Sequence, residues 1–116
     1  MMYKQGDILL IPFPFSDLSS KKQRPVLVLS NSVFNGSQQD IVVAGITSNL
    51  SDRTYLIHLT TNDLEQGQLK TDSGIRADKV YTLSKQIVVK KFGRVNETII
   101  SQVKDKINEL LTEAGS

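Results

Sequence analysis

The sequence predicts a mainly β domain of the α+β class, a small barrel followed by one C-terminal helix. Short apolar runs separated by polar turn segments recur from residue 8 to residue 95, and this pattern is typical of small barrels. One of these runs, residues 26–29, is unbroken, as expected for a buried central strand. From Asn96 onward the apolar residues instead follow helical spacing.

The first strand is expected at residues 8–11, where four apolar side chains stand in a row. Pro12 and Pro14 follow it, one residue apart. Because proline cannot donate a ladder hydrogen bond, we expect the chain to turn there. Residues 16–23 then form a polar, lysine-rich loop that leads to Arg24.

The central strand is expected at residues 26–29. Pro25 stands at its start, the strand position where a missing N–H costs least. Pro25 also biases Arg24 toward extended geometry, so the guanidinium is held at the point where the loop meets the strand. This placement is typical of a binding or catalytic arginine.

The later elements follow from apolar runs, glycines and capping residues. Residues 31–37 form a loop or one helical turn, residues 61–67 form a capped turn, and strands are expected at residues 41–46, 55–59, 73–81 and 90–95. Asn96 is expected to cap the C-terminal helix. The apolar residues on one side of that helix are Ile99, Ile100, Val103, Ile107, Leu110 and Leu111.

Alternation along the strand at residues 73–81 places Arg76 and Asp78 on one face, about 7 Å apart. The same alternation assigns Lys79 to the opposite face, with Ile75 and Ala77. We therefore expect Arg76 and Asp78 to interact.

The chain has 116 residues, 39% of them hydrophobic, which fits a single domain over residues 1–116. It contains no cysteine, so thiol catalysis, zinc knuckles and disulfides are excluded and a reducing compartment is favoured. No apolar run approaches the roughly 20 residues that span a bilayer, and the N-terminus lacks the layout of a signal peptide. We expect a cytoplasmic protein. The one histidine, His58, is expected to face solvent in a structural role.

The net charge of +2 is unevenly distributed along the chain. Residues 76–94 contain six basic residues and one acidic residue, a local charge of +5. Residues 32–75 contain two basic and five acidic residues, a local charge of −3. A basic segment of this kind either forms a face for a polyanion such as nucleic acid or is simply solvated.

Five short motifs, in this order and spacing, give the chain a family resemblance. They are Gly6-Asp7-Ile8, Arg24-Pro25-Val26-Leu27-Val28, Ile46-Thr47-Ser48, Gly74-Ile75-Arg76-Ala77-Asp78 and the terminal helix that begins at Asn96. With these motifs the chain resembles the MazF/PemK family of toxin ribonucleases from type II toxin–antitoxin systems.

The resemblance implies a homodimeric, SH3-like barrel that cuts single-stranded RNA without a metal or another cofactor. Attack by the 2′-hydroxyl would leave a 2′,3′-cyclic phosphate and a 5′-hydroxyl, and a cognate antitoxin would be the protein partner. Arg24 and Thr47 fall on the family's catalytic arginine and threonine, and Arg76 and Asp78 on the pair used by the plasmid-toxin branch. That branch also uses a histidine in its first long loop, and the loop at residues 16–23 has none.

Cleavage of this kind needs a base for the 2′-hydroxyl, fixed charge on the phosphate oxygens and an acid for the leaving group. Arg24 suits the phosphate because its planar fork grips two oxygens and stays charged, and Thr47 can add a hydroxyl. Asp78, aligned by Arg76, is the candidate base. The residues expected to contact RNA are Phe15, Ser16, Lys21, Lys22, Gln23, Ser48, Asn49, Arg53 and Lys79.

Each of these assignments has a structural alternative. Arg24 suits a surface ion pair, Thr47 suits a turn cap, and Arg76 with Asp78 suits an exposed salt bridge that contributes at most about 1 kcal/mol. Phe13 and Phe15 suit core packing more than base stacking. The alternative functions are a toxin of the same barrel that poisons DNA gyrase without catalysis, and an inactive RNA-binding relic.

Overall fold

The computed structural model describes residues 2–13, 22–51 and 54–113. Within them, seven antiparallel strands form one curled sheet, a half-barrel, with two α-helices. The elements are β1 Asp7–Pro12, β2 Gln23–Val28, α1 Ser32–Ser37, β3 Asp40–Thr47, β4 Leu56–Leu59, β5 Leu64–Gln66, β6 Ser73–Ser84, β7 Lys90–Val95 and α2 Glu97–Leu111. The strand order is β4-β6-β3-β2-β1-β7-β5. The prediction of a mainly β barrel with a C-terminal helix is confirmed.

Several strand boundaries differ from the prediction. β2 begins at Gln23, so Pro25 lies inside the strand, opposite Leu10, and not at its start, and β6 continues to Ser84. β1 continues through Pro12, which pairs with Gln23 of β2, whereas the ladder between β1 and β7 ends at Leu10. Proline therefore lies where the strand has one neighbour, so its missing N–H breaks no second ladder. The expected capped turn at residues 61–67 is a 3-10 turn followed by β5, which is too short to show strand periodicity.

The described residues form two clusters of buried apolar side chains, one on each face of the central strands. Leu27 belongs to the first cluster, whereas its neighbours Val26 and Val28 belong to the second. A central strand buried on both faces explains the unbroken apolar run in the sequence. The first cluster includes Ile8, Leu27, Ala44, Ile46, Ile57, Leu59, Ile75, Ala77, Ile99, Ile100 and Val103, and the second includes Tyr3, Leu9, Ile11, Val26, Val28, Ile41, Val43 and Leu83.

Helix α2 closes the first cluster. The side chain of Asn96 accepts a hydrogen bond from the Ile99 N–H at 3.0 Å, so the predicted cap is confirmed. The apolar residues of the first two turns are buried, whereas Leu110 and Leu111 are exposed. In the described ranges, no helix combines the length and the apolar character that crossing a bilayer requires.

A register shift between β3 and β6 changes which side chains share a face. Ala44 pairs with Val80, but the next residue, Gly45, pairs with Arg76. The additional residues of β6 form a bulge, which resets the alternation of side chains along that strand. As a result Lys79 lies on the same face as Arg76, and the prediction that assigns it to the opposite face is wrong.

A buried carboxylate joins the N-terminal segment to β7. Asp7 has no exposed surface, and its Oδ1 accepts a hydrogen bond from Arg94 Nη1 at 2.9 Å and lies 3.3 Å from Lys91 Nζ. Its Oδ2 accepts the backbone N–H of Lys4 at 2.8 Å. Arg94 Nε also lies 3.3 Å from Glu65 Oε1 of β5. One carboxylate therefore fixes the N-terminal segment and β7, and reaches β5 through Arg94.

We expect Asp7→Asn to lower the free energy of unfolding by about 3 kcal/mol, because the substitution leaves the cationic partners of a buried ion pair uncompensated. Urea denaturation at one fixed protein concentration measures this difference. The control is Glu109→Gln, which removes the exposed Lys106–Glu109 pair on α2 and should cost less than about 1 kcal/mol. Equal losses in the two variants would contradict a stabilising role for Asp7.

Candidate active site

A pocket of about 300 Å³ opens where β1, β2, β3 and β6 lie side by side. Among the described residues, three of the four predicted catalytic side chains line it: Arg24, Thr47 and Arg76. Strand pairing brings them together, because Gly45 of β3 pairs with both Val26 of β2 and Arg76 of β6. The complete lining is Ile11, Phe13, Arg24, Pro25, Val26, Gly45, Ile46, Thr47, Arg76, Lys79 and Tyr81.

Arg24 lies near the start of β2, opposite Ile11 of β1, and is held by an aromatic ring. Its Cζ atom is 5.1 Å from the centroid of the Phe13 ring, within the range of a cation–π interaction. Phe13 is 44% exposed, so the prediction that this side chain packs in the core is wrong. It lies one residue beyond β1, where the chain has left the core, and its N–H donates to the Lys22 carbonyl at 2.9 Å.

Thr47 ends β3 and shapes the turn that follows. Its Oγ1 accepts the backbone N–H of Asn49 at 3.0 Å, and Asn49 Oδ1 in turn accepts the N–H of Ser51 at 3.0 Å. A hydroxyl that accepts a hydrogen bond still carries its own proton and can donate it. Thr47 therefore acts as a turn cap and also presents a donor to the pocket. Ser48 and Asn49, predicted to contact RNA, are exposed in this turn.

Arg76 and Asp78 form a bidentate ion pair. Arg76 Nε donates to Asp78 Oδ1 at 3.0 Å, and Nη2 donates to Oδ2 at 2.8 Å. The hydrogen bonds from Arg76 lower the pKa of the Asp78 carboxyl below its usual value, and the positive charge of Arg76 acts in the same direction. Arg76 lines the pocket, and Asp78 joins the site through it. The predicted interaction within this pair is confirmed.

Tyr81 and Gly45 line the pocket as well, although neither was predicted as a site residue. Strict alternation from Arg76 places residues 78 and 80 on its face of the strand and residue 81 on the other. The bulge in β6 shifts this alternation, so the sequence pattern does not predict that Tyr81 faces the pocket. Gly45 offers no side chain to recognise. Lys79, a predicted RNA contact, lines the pocket because of the same bulge.

The other predicted RNA contacts lie near the pocket entrance or outside the described residues. Lys22 and Gln23 are exposed, immediately before Arg24. Phe15, Ser16, Lys21 and Arg53 lie outside the described residues.

The basic segment at residues 76–94 does not form one continuous basic face. Lys91 and Arg94 are paired with buried Asp7, and Lys85 Nζ donates to the Asn35 carbonyl at 2.6 Å. Much of the local charge therefore makes contacts within the fold, so the segment is neither a single basic face nor simply solvated.

His58 faces solvent, as predicted. Its side chain is 63% exposed, and Nε2 lies 3.8 Å from Asp72 Oδ2. In the part of the chain that the structure describes, no cluster of three or more His, Asp or Glu side chains is arranged to hold a metal ion.

Solved structures with the same fold include toxins and toxin–antitoxin complexes. A MazE–MazF crystal structure from Deinococcus radiodurans has a TM-score of 0.78 and 19% identity, over 96% of this chain and 97% of that chain. An endoribonuclease bound to its cognate antitoxin, from a mycobacterial species, has a TM-score of 0.75 and 18% identity, with 94% of each chain covered. A MazF toxin from Mycobacterium tuberculosis has a TM-score of 0.71 and 18% identity, over 89% of this chain and 93% of that chain. At these identities the likeness establishes the fold.

The sequence itself places the chain in a family. No curated protein matches it. A family model, described as PemK-like, MazF-like toxin of type II toxin–antitoxin system, matches residues 4–111, nearly the whole chain. The chain therefore belongs to the family of PemK-like, MazF-like toxins of type II toxin–antitoxin systems.

Proposed function

We propose that this protein is an endoribonuclease toxin that cuts single-stranded messenger RNA through attack of a 2′-hydroxyl on the neighbouring phosphate. The convergence of Arg24, Thr47 and Arg76 on one pocket carries the proposal. Membership in the toxin family and the endoribonuclease names of similar structures support it. The products would be a 2′,3′-cyclic phosphate and a 5′-hydroxyl, formed without a metal ion.

In this proposal Arg24 and Thr47 bind the non-bridging oxygens of the scissile phosphate. Negative charge on these oxygens grows as the 2′-oxygen attacks, so a fixed guanidinium and a hydroxyl donor stabilise the transition state more than the bound RNA. The Phe13 ring restricts the guanidinium of Arg24 before RNA arrives, which reduces the reorganisation needed during the reaction. Arg76 adds a second positive charge to the pocket wall.

Asp78 is the proposed base that removes the 2′-hydroxyl proton. As the 2′-oxygen bonds to phosphorus, the P–O5′ bond breaks, and the 5′-oxygen leaves as a hydroxyl after taking a proton from solvent. Its lowered pKa keeps the carboxylate ionised at neutral pH, as a base requires, but also makes it a weaker proton acceptor. Arg76 holds both carboxylate oxygens and so fixes their direction.

The proposed partners are RNA, a second copy of the chain and a cognate antitoxin. Similar structures are named as MazE–MazF and as an endoribonuclease with its antitoxin, which supports an antitoxin here. A two-fold dimer would present two Arg24–Thr47 sites on one shared surface, and this is the commonest oligomer geometry. The rival proposal, a toxin that poisons DNA gyrase without catalysis, gives no role to a pocket lined by Arg24, Thr47 and Arg76.

The direct test is digestion of a long single-stranded RNA by the purified protein in excess EDTA, with the cut ends mapped and their termini identified. We expect discrete cuts with 2′,3′-cyclic phosphate and 5′-hydroxyl ends, because the nucleophile comes from the RNA and needs no metal to activate it. Intact RNA, or cleavage that EDTA abolishes, would overturn the proposal.

Arg24→Ala should lower kcat/KM by about 10²- to 10³-fold, the loss expected when one group that stabilises the charge of the transition state is removed. Thr47→Ala should lower kcat/KM by a smaller factor than Arg24→Ala does, since a neutral donor makes a hydrogen bond roughly half as strong as a charged one. Cleavage rates of a defined oligonucleotide compare the two variants, with exposed Lys70→Ala as the control. A larger loss for Thr47→Ala would give the hydroxyl the leading role.

Asp78→Asn should lower kcat by about 10²-fold, the low end of the range for a general base, because the pKa of this carboxyl is already depressed. Single-turnover rates measure the chemical step, and circular dichroism checks that the fold is kept. Near-normal rates would restrict Asp78 to a salt bridge with Arg76 and place the base elsewhere.

A further inference from the structure

The pocket is built for more than a phosphate. Its cations are Arg24, Arg76 and Lys79, but it also has two aromatic walls, Phe13 and Tyr81. A site for phosphate alone needs no ring beyond the one that restrains Arg24, whereas an unpaired nucleobase binds by stacking on aromatic rings. The mixture of cations and rings matches one whole nucleotide.

Gly45 lines the same pocket beside Lys79 and Tyr81, and the fold does not require a glycine there. A Cβ atom added at Gly45 would lie 3.6 Å from Lys79 Cβ and 3.8 Å from Tyr81 Cε2, which are ordinary contact distances. By contrast, a Cβ at Gly74 would come within 2.5 Å of the Leu56 side chain. Gly45 also has no positive φ, since the glycines with positive φ in the described chain are Gly6 and Gly67. What the missing side chain does provide is depth in the pocket.

We propose that the pocket is a base-selective subsite. In it, the base of the nucleotide next to the scissile phosphate lies against Phe13 and Tyr81, and Gly45 sets the size of base that enters. This inference rests on the proposed function for its ligand, single-stranded RNA. It assigns to the pocket a part of the sequence selectivity, through the shape of the walls.

The chain offers a matched control for each substitution. Gly45→Ala adds one methyl group to the pocket, and Gly36→Ala adds the same group where no atom lies within 4 Å. Phe13→Ala removes the aromatic wall, and Phe34→Ala removes a comparably exposed ring on α1, outside the pocket lining. The probes are uncleavable 2′-O-methyl pentanucleotides of adenine, cytosine or uracil, with affinities measured by fluorescence anisotropy at several salt concentrations.

Phe13→Ala should weaken binding roughly 5- to 140-fold, the range for loss of one base–aromatic stack, and should leave the salt dependence unchanged. Lys79→Gln should instead reduce the slope of log affinity against log salt by about 0.7, the value for one phosphate contact on a single strand. Gly45→Ala should weaken the adenine probe more than the two pyrimidine probes, because a purine needs more depth. The two control variants should bind as the unmodified protein does.

Unchanged affinity in Phe13→Ala, or an equal effect of Gly45→Ala on all three probes, would overturn the base subsite. Failure of the unmodified protein to bind any probe would overturn it too. The expected binding pattern together with an uncut long RNA would refute the proposed cleavage while leaving the subsite standing. If the RNA is cut, Gly45→Ala should also shift the mapped cuts away from purines at one position.

Discussion

The buried carboxylate of Asp7 is the constraint on which the rest of the structure depends. A charged group without contact to water is tolerated only when it is paired, and Arg94, Lys91 and the Lys4 N–H supply the pairing. These contacts fix β1 beside β7, in the middle of the sheet. Ile11 at the far end of β1 and Phe13 just beyond it then provide walls of the pocket, so an ion pair at one end of the strand positions the site at the other.

The elements that the sequence predicts well are those set by local patterns. Side chains of β2 point alternately into the two apolar clusters, which explains its unbroken apolar run, and the Asn96 cap explains where α2 begins. The predictions that are wrong depend on contacts with other segments of the chain. Lys79 changes face because β6 bulges against β3, and Pro12 stays in a strand because β7 no longer pairs there. Neither cause is visible within the segment itself.

The candidate site divides in the same way. Family motifs selected Arg24, Thr47 and Arg76 although they lie on three strands, and the sheet brings them to one pocket. Composition left two roles open for the charges of residues 76–94, and it could not show that two of these residues pair with Asp7 inside the fold. Phe13 was misplaced since an aromatic residue after a strand has the same sequence signature whether it enters the core or leaves it.

The position of β1 has a consequence for how the protein is made. β1 pairs with β2 on one side and with β7 on the other, and the Arg94–Asp7 hydrogen bond spans 87 residues. Contacts this distant close a long loop and form late. During translation, residues 7–12 remain without one of their two neighbours until β7 has left the ribosome. Every residue that lines the pocket precedes β7, yet the strand that supplies Ile11 is paired on only one side until β7 has been made.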